Sequence, residues 1–234
     1  MITSNQNQQY KYLMKLKKSK YRHIYQEAII FGEDLIDATK KAGNIQSMIV
    51  TKDQGVLICL SSELFETLAD YHMENQVGAL VSIKDVTQEA THALVCENIQ
   101  DPRNLGALFR SALAFGFKHI YVSHDSVDPY HELALRSAKG TTFQLSIHRG
   151  TLEHHVKHLK SLGYVCIGTS PQPQATIEFN ADFIALILGN EGRGLTQKTI
   201  EACDSLMHIK TESVESLNVS VAGAICMYDI RRLS

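Results

Sequence analysis

The chain has 234 residues, of which 44% are hydrophobic, so it can bury one large core or two small ones. Its formal net charge is -2, which does not indicate a polyanion as the partner of the whole surface. Basic residues nevertheless cluster between Tyr10 and Arg22, a stretch without any acid. This patch could contact phosphates, or it could be a solvated and partly frayed N-terminal segment.

The five cysteines are widely separated and form no C-x-x-C pair, as is typical of small core residues in a reducing compartment. Residues 1–9 are polar and lack the apolar segment of a signal peptide. The apolar run at 183–188 is too short to cross a bilayer. We therefore expect a soluble, cytoplasmic protein without a membrane segment.

Apolar runs and helical patterns alternate in the first 85 residues. Strands are predicted at 28–31, 47–50 and 78–83, and helices at 33–42 and 61–70. Residues 1–9 are predicted to be a disordered tip. The alternation predicts a compact α/β unit, and the polar residues 84–90 that follow are typical of a linker.

The rest of the chain continues the alternation. Strands are predicted at 93–96, 119–123, 165–168, 183–188 and 207–209, and helices at 105–115, 132–138, 151–162, 196–202 and 219–232. Strands separated by helices favour a mostly parallel α/β sheet. Ligands bind such sheets beyond the carboxyl ends of the strands, so the loops at that edge form the candidate site.

Three short segments at this edge combine turn-forming residues with polar groups, and they lie at 98–110, 188–195 and 215–222. In the first, Asn104 is predicted to cap a helix that starts at Leu105. Gly106 allows another backbone or a ligand to come close, and Arg110 projects from the same helix. A capped helix with a surface arginine would give the same local pattern.

The second segment, Gly189-Asn-Glu-Gly-Arg-Gly, matches neither the dinucleotide fingerprint nor a phosphate-binding P-loop. Its exposed backbone groups suit a small polar or adenosyl-like ligand, although a plain tight turn is the simpler alternative. The third segment offers Ser216, Asn218 and Ser220 before the last helix, which is more than one helix cap requires. His154 and His158 have i,i+4 spacing, but no third metal ligand can be identified, so no metal is expected.

The three segments together are similar to the motifs of one known family. They read Asn98-x-x-Asp-Pro-x-Asn-x-Gly-Ala-x-x-Arg110, Gly189-Asn-Glu-Gly192 and Ser216-Leu-Asn-Val-Ser220. Over residues 90–234 the chain resembles the SpoU/TrmH family of RNA ribose 2′-O-methyltransferases, in the SPOUT superfamily. Residues 1–85 resemble, more loosely, the family's RNA substrate-binding domain. The resemblance implies a boundary between two domains at about residues 85–90.

The family's fold is α/β, with a mostly parallel sheet whose C-terminal part forms a deep trefoil knot, beside a small N-terminal α/β domain. The resemblance implies a homodimer that binds S-adenosyl-L-methionine in the knot, near the dimer interface. Transferred by motif, the residues that contact the cofactor are Thr169, Gly189, Ile209 and Leu217. The catalytic arginine is Arg110, and the polar positions that support it are Asn104, Glu191, Ser216 and Asn218.

The implied chemistry is an in-line methyl transfer to a ribose 2′-OH, whose proton must be removed or shared as the bond forms. Arg110 could serve as the base, or it could orient the hydroxyl and an RNA phosphate, since the pKa of an arginine exceeds about 12. No metal is needed, because the leaving group departs neutral. Ribosomal RNA is favoured over tRNA as the substrate by analogy alone, and DNA should be inert.

One departure from the family pattern leaves an alternative open. Residues 209–216 contain no proline or glycine where family members commonly have Ile-Pro-Met and a glycine-containing stretch, which puts the contact at Ile209 in doubt. A catalytically silent RNA-binding protein with the same fold is therefore the alternative to an active enzyme. A nicotinamide-dependent enzyme is a third interpretation, against which the glycine spacing argues.

Overall fold

Two β-sheets organise the chain, and loops of the second one build the candidate site. The computed structural model describes residues 1–51, 57–87, 89–90, 92–170, 172 and 181–233. Every helix in this described part falls short of what a bilayer crossing requires in length and hydrophobicity.

The first sheet contains four strands. Its elements are α1 (Gln8–Leu16), α2 (Ser19–Tyr25), β1 (Glu27–Phe31), α3 (Glu33–Lys41), β2 (Ile45–Val50), β3 (Leu57–Cys59), α4 (Ser62–Ala69) and β4 (Val77–Ser82). The strand order is β1-β4-β2-β3, with β4 antiparallel to β1 and β2, and β2 parallel to β3. The predicted strands and helices of this region are present, but this sheet is mixed rather than parallel.

The prediction of a disordered tip at residues 1–9 is wrong. Ile2 bridges to Leu60, with the Ile2 amide 2.7 Å from the Cys59 carbonyl oxygen and the Ser61 amide 2.9 Å from the Ile2 carbonyl oxygen. Asn7 caps helix α1, because its side-chain oxygen accepts hydrogen bonds from the amides of Gln9 and Tyr10. The N-terminus is therefore tied to the first sheet.

The basic patch forms a helical hairpin instead of a frayed segment. Helix α1 buries Tyr10, Leu13 and Leu16, which recur at a spacing of three and so lie on one face. Helix α2 follows after Lys18 and ends at Gln26, which adopts a left-handed conformation with φ +53°. The lysines of the patch therefore lie on the surface of an ordered hairpin.

The second sheet contains six strands. Its elements are β5 (His92–Cys96), α5 (Pro102–Ala114), β6 (Phe117–Ser123), α6 (Glu132–Ala138), β7 (Ser146–Gly150), α7 (Leu152–Ser161), β8 (Val165–Thr169), β9 (Ile184–Leu188), α8 (Gln197–Ala202), β10 (Ser205–Met207) and α9 (Val219–Leu233). The order is β10-β8-β9-β5-β6-β7, and all neighbouring strands are parallel. The predicted parallel α/β sheet is confirmed, with β7 as an additional edge strand.

The chain runs outward in both directions from the centre of this sheet. Strand β5 is followed by β6 and β7 on one side, whereas β9, β8 and β10 lie on the other. The neighbours β5 and β9 therefore flank a topological switch point, where open α/β sheets bind ligands beyond the carboxyl ends of their strands. The first two polar segments follow β5 and β9.

The two sheets share a buried contact. Leu135 of α6 and Phe143 lie in one apolar cluster with Ala28 and Ile30 of β1. Beside it, Arg22 is only 4% exposed, and its Nε and Nη2 lie 2.7 and 2.6 Å from Asp128 Oδ2. Its Nη1 donates to two carbonyl oxygens of the α1–α2 hairpin. This contact fixes the hairpin against the loop that follows β6.

Candidate active site

The three polar segments predicted from the sequence meet at the carboxyl edge of the second sheet. Asn190 Nδ2 donates to the Asn98 carbonyl oxygen at 2.9 Å, which joins the second segment to the first. Asn218 Nδ2 donates to Asn104 Oδ1 at 3.0 Å, which joins the third segment to the first. The convergence that the motifs required is therefore present.

The first segment corrects the predicted helix cap. Helix α5 begins at Pro102, and Asp101 caps it by accepting a hydrogen bond from the Arg103 amide at 2.7 Å. Proline suits the first helical position because its fixed φ is helical and its missing N–H has no partner there. Asn104 therefore lies in the first turn of the helix, where its side chain is free to face the second segment.

Glycine at position 106 serves the packing of α5 on α6. A Cβ on Gly106 would collide with the carbonyl oxygen of Ala134 and approach Ser137 Cβ to 2.8 Å. The neighbour that comes close is thus the backbone of α6. This contact fixes the direction in which α5 leaves the strand.

The second segment is a closed turn. The amides and carbonyls of Asn190 and Gly194 exchange two hydrogen bonds of 3.0 and 2.9 Å, and Gly194 has a φ of +68°. Asn190 Oδ1 accepts from the amides of Gly192 and Arg193 at 3.0 and 3.1 Å. A Cβ on Gly189 would collide with the backbone of Gly194, so the turn closes only over glycine.

Glu191 connects this turn to the start of α5. Its carboxylate accepts from the amides of Gln100 and Asp101 at 3.1 to 3.2 Å and from Asn104 Nδ2 at 3.2 Å. Partial burial alone would raise the pKa of Glu191, but these hydrogen bonds outweigh it and hold the pKa below its usual value. The carboxylate is therefore ionised at neutral pH. We refer to Glu191, Asn104 and Asn218 as the Glu191 network.

A cavity of about 240 Å³ opens beside this network. Its walls come from the ends of β8, β9 and β10, from the second and third segments and from α9. The lining residues are Thr169, Ser170, Leu188, Gly189, Asn190, Glu191, Gly192, Arg193, Gly194, Met207, Ile209, Thr211, Glu215, Ser216, Leu217, Val219, Ala222 and Cys226. Apolar side chains form much of the wall, while the two segments contribute backbone groups and charges.

The predicted residues take three different places relative to this cavity. The residues that line it are Thr169, Gly189, Glu191, Ile209, Ser216 and Leu217. Asn104 and Asn218 lie outside the lining but join it through Glu191. Arg110 is exposed on α5, and among the residues that the structure describes none forms an ion pair with it. The structure therefore brings eight of the nine predicted residues together and leaves Arg110 apart.

The profile of the SpoU rRNA Methylase family matches residues 91–228, which is more than half of the chain. The protein belongs to the SpoU rRNA methylase family. The resemblance based on three motifs is thereby confirmed. In this family member the second and third segments line the cavity, and the first is hydrogen-bonded to both of them.

Individual relatives of this SpoU family member cover most or all of its length. A Bacillus subtilis (strain 168) protein named 23S rRNA (guanosine(2553)-2′-O)-methyltransferase RlmP is 30% identical over 244 residues, 98% of each chain. A Coxiella burnetii 23S rRNA (guanosine-2′-O-)-methyltransferase RlmB is 36% identical over 163 residues, 66% of this chain and 64% of its own. The crystal structure of an AdoMet-bound rRNA methyltransferase from Sinorhizobium meliloti superposes with a TM-score of 0.84 at 21% identity, covering 99% of this chain and 97% of that one.

In this SpoU family member, the loop with the unusual sequence still forms part of the cavity wall. Ile209 and Thr211 line the cavity, and Thr211 Oγ1 donates to the Val214 carbonyl oxygen at 2.8 Å. The strand predicted at 207–209 ends at Met207 instead, so Ile209 lies in the loop. A side-chain hydrogen bond thus supports a turn where the family commonly has proline and glycine.

Several residues that support the site were missed by sequence reasoning. Glu97 is buried directly after β5 and accepts from the Thr196 amide, Thr196 Oγ1 and Thr199 Oγ1 at 3.1, 2.8 and 2.7 Å. Ser123 Oγ and Ser126 Oγ accept hydrogen bonds from the amides of Asn98 and Ile99 at 2.8 and 2.9 Å. An acid directly after an apolar strand was the available signal for Glu97, whereas nothing local marked the serines.

The three histidines of α7 differ in their exposure. His154 and His158 stack on one another at the surface, and no group of three metal-ligating side chains occurs within the described ranges. His155 between them is buried and contacts the ring of Tyr121. Burial lowers the pKa of His155 to about 4, so it is neutral at pH 7.

Proposed function

We propose that this protein transfers a methyl group from S-adenosyl-L-methionine to a ribose 2′-OH of ribosomal RNA. The observation that carries the proposal is the convergence of the three family motifs around one cavity. Ribosomal RNA is preferred over tRNA because several relatives of the chain are named 23S rRNA methyltransferases.

The residues of the cavity fit this cofactor. Apolar side chains such as Leu188, Met207 and Ile209 suit the faces of an adenine ring, and the backbone of the second segment suits its polar edge. The charged lining residues are two acids, Glu191 and Glu215, and one Arg193. This balance favours a cationic sulfonium over the pyrophosphate of a nicotinamide dinucleotide, which needs several donors or positive charges.

The cofactor, when bound, supplies an activated methyl group. We assign Thr169, Gly189, Ile209 and Leu217 to holding it, since all four line the cavity. Gly189 allows the turn to close, so that main-chain groups rather than side chains face the ligand. The cavity walls then exclude water from the methyl group and fix its direction.

The Glu191 network would position the RNA ribose. Glu191 accepts hydrogen bonds from the amides before α5 and from Asn104. Asn104 in turn accepts a hydrogen bond from Asn218, which fixes the third segment relative to the other two. Asn218 Oδ1 also accepts from the Ser220 amide at 2.8 Å, which fixes the start of α9. Ser216 in the lining offers a hydroxyl to the incoming sugar. Such fixed polar groups keep the reacting oxygen in line with the methyl group.

Arg110 is assigned to the 2′-OH, as a transient base or as the group that orients the hydroxyl and an RNA phosphate. It lies outside the cavity lining, on a stripe of α5 with the exposed Arg103 and Ala114 and the half-buried Ala107. Their spacings of three and four place them on one helix face. Arg110 therefore needs either the RNA or a second copy of the chain to bring it to the reacting atoms.

A homodimer is part of the proposal. Helix α9, which packs against α5, exposes Val221 at 48% and Tyr228 at 53%. These two side chains are seven residues apart and so share a face, and the Tyr228 ring contacts Phe115 at the end of α5. Pairing of these faces would cover the apolar side chains and place Arg110 near the site, as the family resemblance implies.

The larger organisation is proposed on the same resemblance. Residues 1–85 would bind RNA and residues 90–234 would carry the methyltransferase site, with the C-terminal part threaded as a trefoil knot. Helix α9 packs closely on the end of β9, where a Cβ on Gly223 would lie 2.6 Å from Leu188 Cδ1. A cytoplasmic location follows from a ribosomal RNA substrate.

The proposal is tested by transfer of tritium from methyl-labelled S-adenosyl-L-methionine to purified 23S rRNA, 16S rRNA, tRNA and DNA. We expect label in ribosomal RNA, recovered after alkaline hydrolysis in dinucleotides, because a 2′-O-methyl group removes the hydroxyl that cleaves the chain. Label in mononucleotides would mean base methylation. Cofactor binding without transfer to any RNA would mean a silent RNA-binding protein. Either result would overturn the proposal.

A further inference from the structure

The α1–α2 hairpin carries a cluster of tyrosines and lysines on its outer face. We name Tyr12, Tyr21, Tyr25, Lys15 and Lys20 the tyrosine surface. We propose that this surface binds unpaired bases of the RNA substrate by stacking. This inference rests on the proposed function only in taking RNA as the substrate.

Charge is strongly segregated toward this hairpin. Residues 1–26 contain six of the chain's 23 lysines and arginines and none of its 25 acids. Five of the six are lysines on α1, α2 or the turn between them. The hairpin is therefore a local cationic surface on a protein with a net charge of -2, and its natural complement is a polyanion.

The rings form a continuous array. Tyr21 and Tyr25 are stacked with centroids 6.1 Å apart and planes 13° apart, and Tyr25 meets Tyr12 at 5.1 Å. Lys15 and Lys20 place their Nζ atoms 5.8 and 6.0 Å from the centroid of Tyr21. Aromatic faces beside cationic side chains are the arrangement with which proteins bind single-stranded nucleic acid.

Packing of the hairpin does not account for the exposure of this face. The inner face already buries Leu13, Leu16 and Arg22. Tyr12 has a structural partner, since its hydroxyl donates to the Glu27 carboxylate. Tyr25, by contrast, is 38% exposed, and its neighbour Ile24 is 58% exposed. The Tyr25 ring is thus accessible to a ligand at the edge of the array, beside the half-buried Tyr21.

The hairpin that carries the surface is anchored at the carboxyl edge of the second sheet, the edge at which the cavity lies. Arg22 fixes α2 to Asp128, in the loop that follows β6. Strand β6 is two places from β9 in the sheet, so their carboxyl ends are roughly 10 Å apart at the usual strand spacing. The same loop supports the first polar segment, because Ser126 Oγ accepts from the Ile99 amide at 2.9 Å.

The array favours unpaired nucleotides over a duplex. Base faces are hidden within a duplex, which would leave only the lysines to contact phosphates. Bases in loops and bulges present their faces and stack on aromatic rings. Nucleotides that flank the methylated ribose in a loop would therefore dock on the tyrosine surface while the ribose enters the site.

Fluorescence anisotropy with labelled 12-nucleotide oligouridylate and a blunt RNA duplex of equal length tests the inference. We expect Tyr21→Leu/Tyr25→Leu to weaken binding of the oligouridylate about 10-fold or more and to change duplex binding little. Tyr21→Phe/Tyr25→Phe keeps both rings and should bind like wild type. Because the chain contains no tryptophan, quenching of tyrosine fluorescence gives a second readout of stacking on the wild-type protein.

The variant Lys15→Gln/Lys20→Gln provides a second test of the surface if the leucine variant does not fold. We expect this variant to weaken binding of both probes and to reduce the salt dependence of oligouridylate binding by about 0.7 per lysine in slope. Equal losses on both probes in the leucine variant, unchanged binding of the oligouridylate, or no binding of it by the wild type would each overturn the inference. Methyl transfer to ribosomal RNA by the wild type, measured in parallel, shows separately whether the proposed function stands.

Discussion

Two carboxylates at the same edge of the second sheet are held in opposite ways. Asp128 is buried against Arg22, and although burial alone would raise the pKa of Asp128, that guanidinium and the Tyr130 amide lower it. Glu191 is partly exposed, and the groups that lower its pKa are amides without formal charge. Both acids are ionised at neutral pH, but only Asp128 has its charge cancelled by a neighbour.

The difference separates a structural contact from a candidate site. A buried carboxylate that is paired with a cation offers no net charge to a ligand. Removing the carboxylate leaves the cation buried without a partner. A carboxylate held by neutral donors keeps its full negative charge and faces the cavity with it. The Arg22–Asp128 contact should therefore govern stability, and the residues around the Glu191 network should govern binding and transfer.

The largest effect is expected on the rate of methyl transfer, from the variant Arg110→Ala. We expect methyl transfer to fall by about 10²–10⁴-fold, because the group that shares the proton or orients the hydroxyl is removed. The affinity for S-adenosyl-L-methionine should stay within about threefold, since Arg110 does not line the cavity. Single-turnover transfer of tritium to 23S rRNA and calorimetry measure the two quantities.

Arg103→Ala is the matched control for Arg110→Ala. Arg103 is exposed on the same stripe of α5, two turns before Arg110, so both variants lose one charge from that face. The control should keep most of the transfer rate. Near-normal turnover in Arg110→Ala, or an equal loss in both variants, would contradict the role assigned to Arg110.

The next-largest effect is expected on the stability of the protein, at the Arg22–Asp128 pair. Arg22→Met leaves the Asp128 carboxylate buried without its cation, and we expect the free energy of unfolding to drop by about 3–5 kcal/mol. The double variant Arg22→Met/Asp128→Asn removes both charges and should be more stable than Arg22→Met alone. Urea unfolding at neutral pH measures both differences.

An exposed pair provides the reference for this buried one. Lys17 Nζ lies 3.7 Å from Asp70 Oδ2, and the Asp70 side chain is 82% exposed. Lys17→Met should therefore change the free energy of unfolding by less than about 1 kcal/mol. If Lys17→Met and Arg22→Met destabilised the protein equally, the distinction between the two pairs would be lost.

A smaller, pH-dependent effect is expected from His155. Because its pKa is lowered to about 4 in the folded protein and lies near 6.5 when unfolded, the unfolded state binds its proton first as the pH falls. The contribution of the neutral imidazole to the free energy of unfolding is therefore fully present above about pH 6.5. It is lost progressively as the pH falls to about 4. Denaturant unfolding across this range should show a flatter profile for His155→Gln than for wild type.

His154→Gln controls for general effects of removing a histidine. His154 is adjacent and exposed, so its substitution should change the profile much less than His155→Gln does. The same slope between pH 6.5 and 4 in wild type and His155→Gln would show that another group causes the dependence.

Local sequence patterns predicted the second sheet well. Its strands are short apolar runs between helices, and the motifs that follow β5 and β9 carry glycine, proline and asparagine at turns. The N-terminal hairpin was missed because lysines dominate it, although Tyr10, Leu13 and Leu16 already showed the spacing of a helix face. The antiparallel pairing of the first sheet was not encoded in any local pattern.

The contacts and positions that escaped prediction depend on residues distant in sequence. Arg22 and Asp128 are 106 residues apart in sequence, and neither lies in a motif. Asn104 was taken for a helix cap because asparagine is a good one, but Asp101 with Pro102 starts the helix earlier. The position of Arg110 outside the cavity depends on how α5 packs against α6 and α9, which the spacing of the motif does not determine.

The most direct test of the account compares two glycines of the second segment by calorimetric titration with S-adenosyl-L-methionine. A Cβ on Gly189 would collide with the turn, whereas one on Gly192 would meet only Asn190 Oδ1 at 3.8 Å. We expect wild type and Gly192→Ala to bind with affinities within about threefold, and Gly189→Ala to bind at least about 10-fold more weakly while its thermal unfolding shows that it is folded. Absence of binding by the wild type, or unchanged affinity in Gly189→Ala, would contradict the central claim that these segments form the cofactor site.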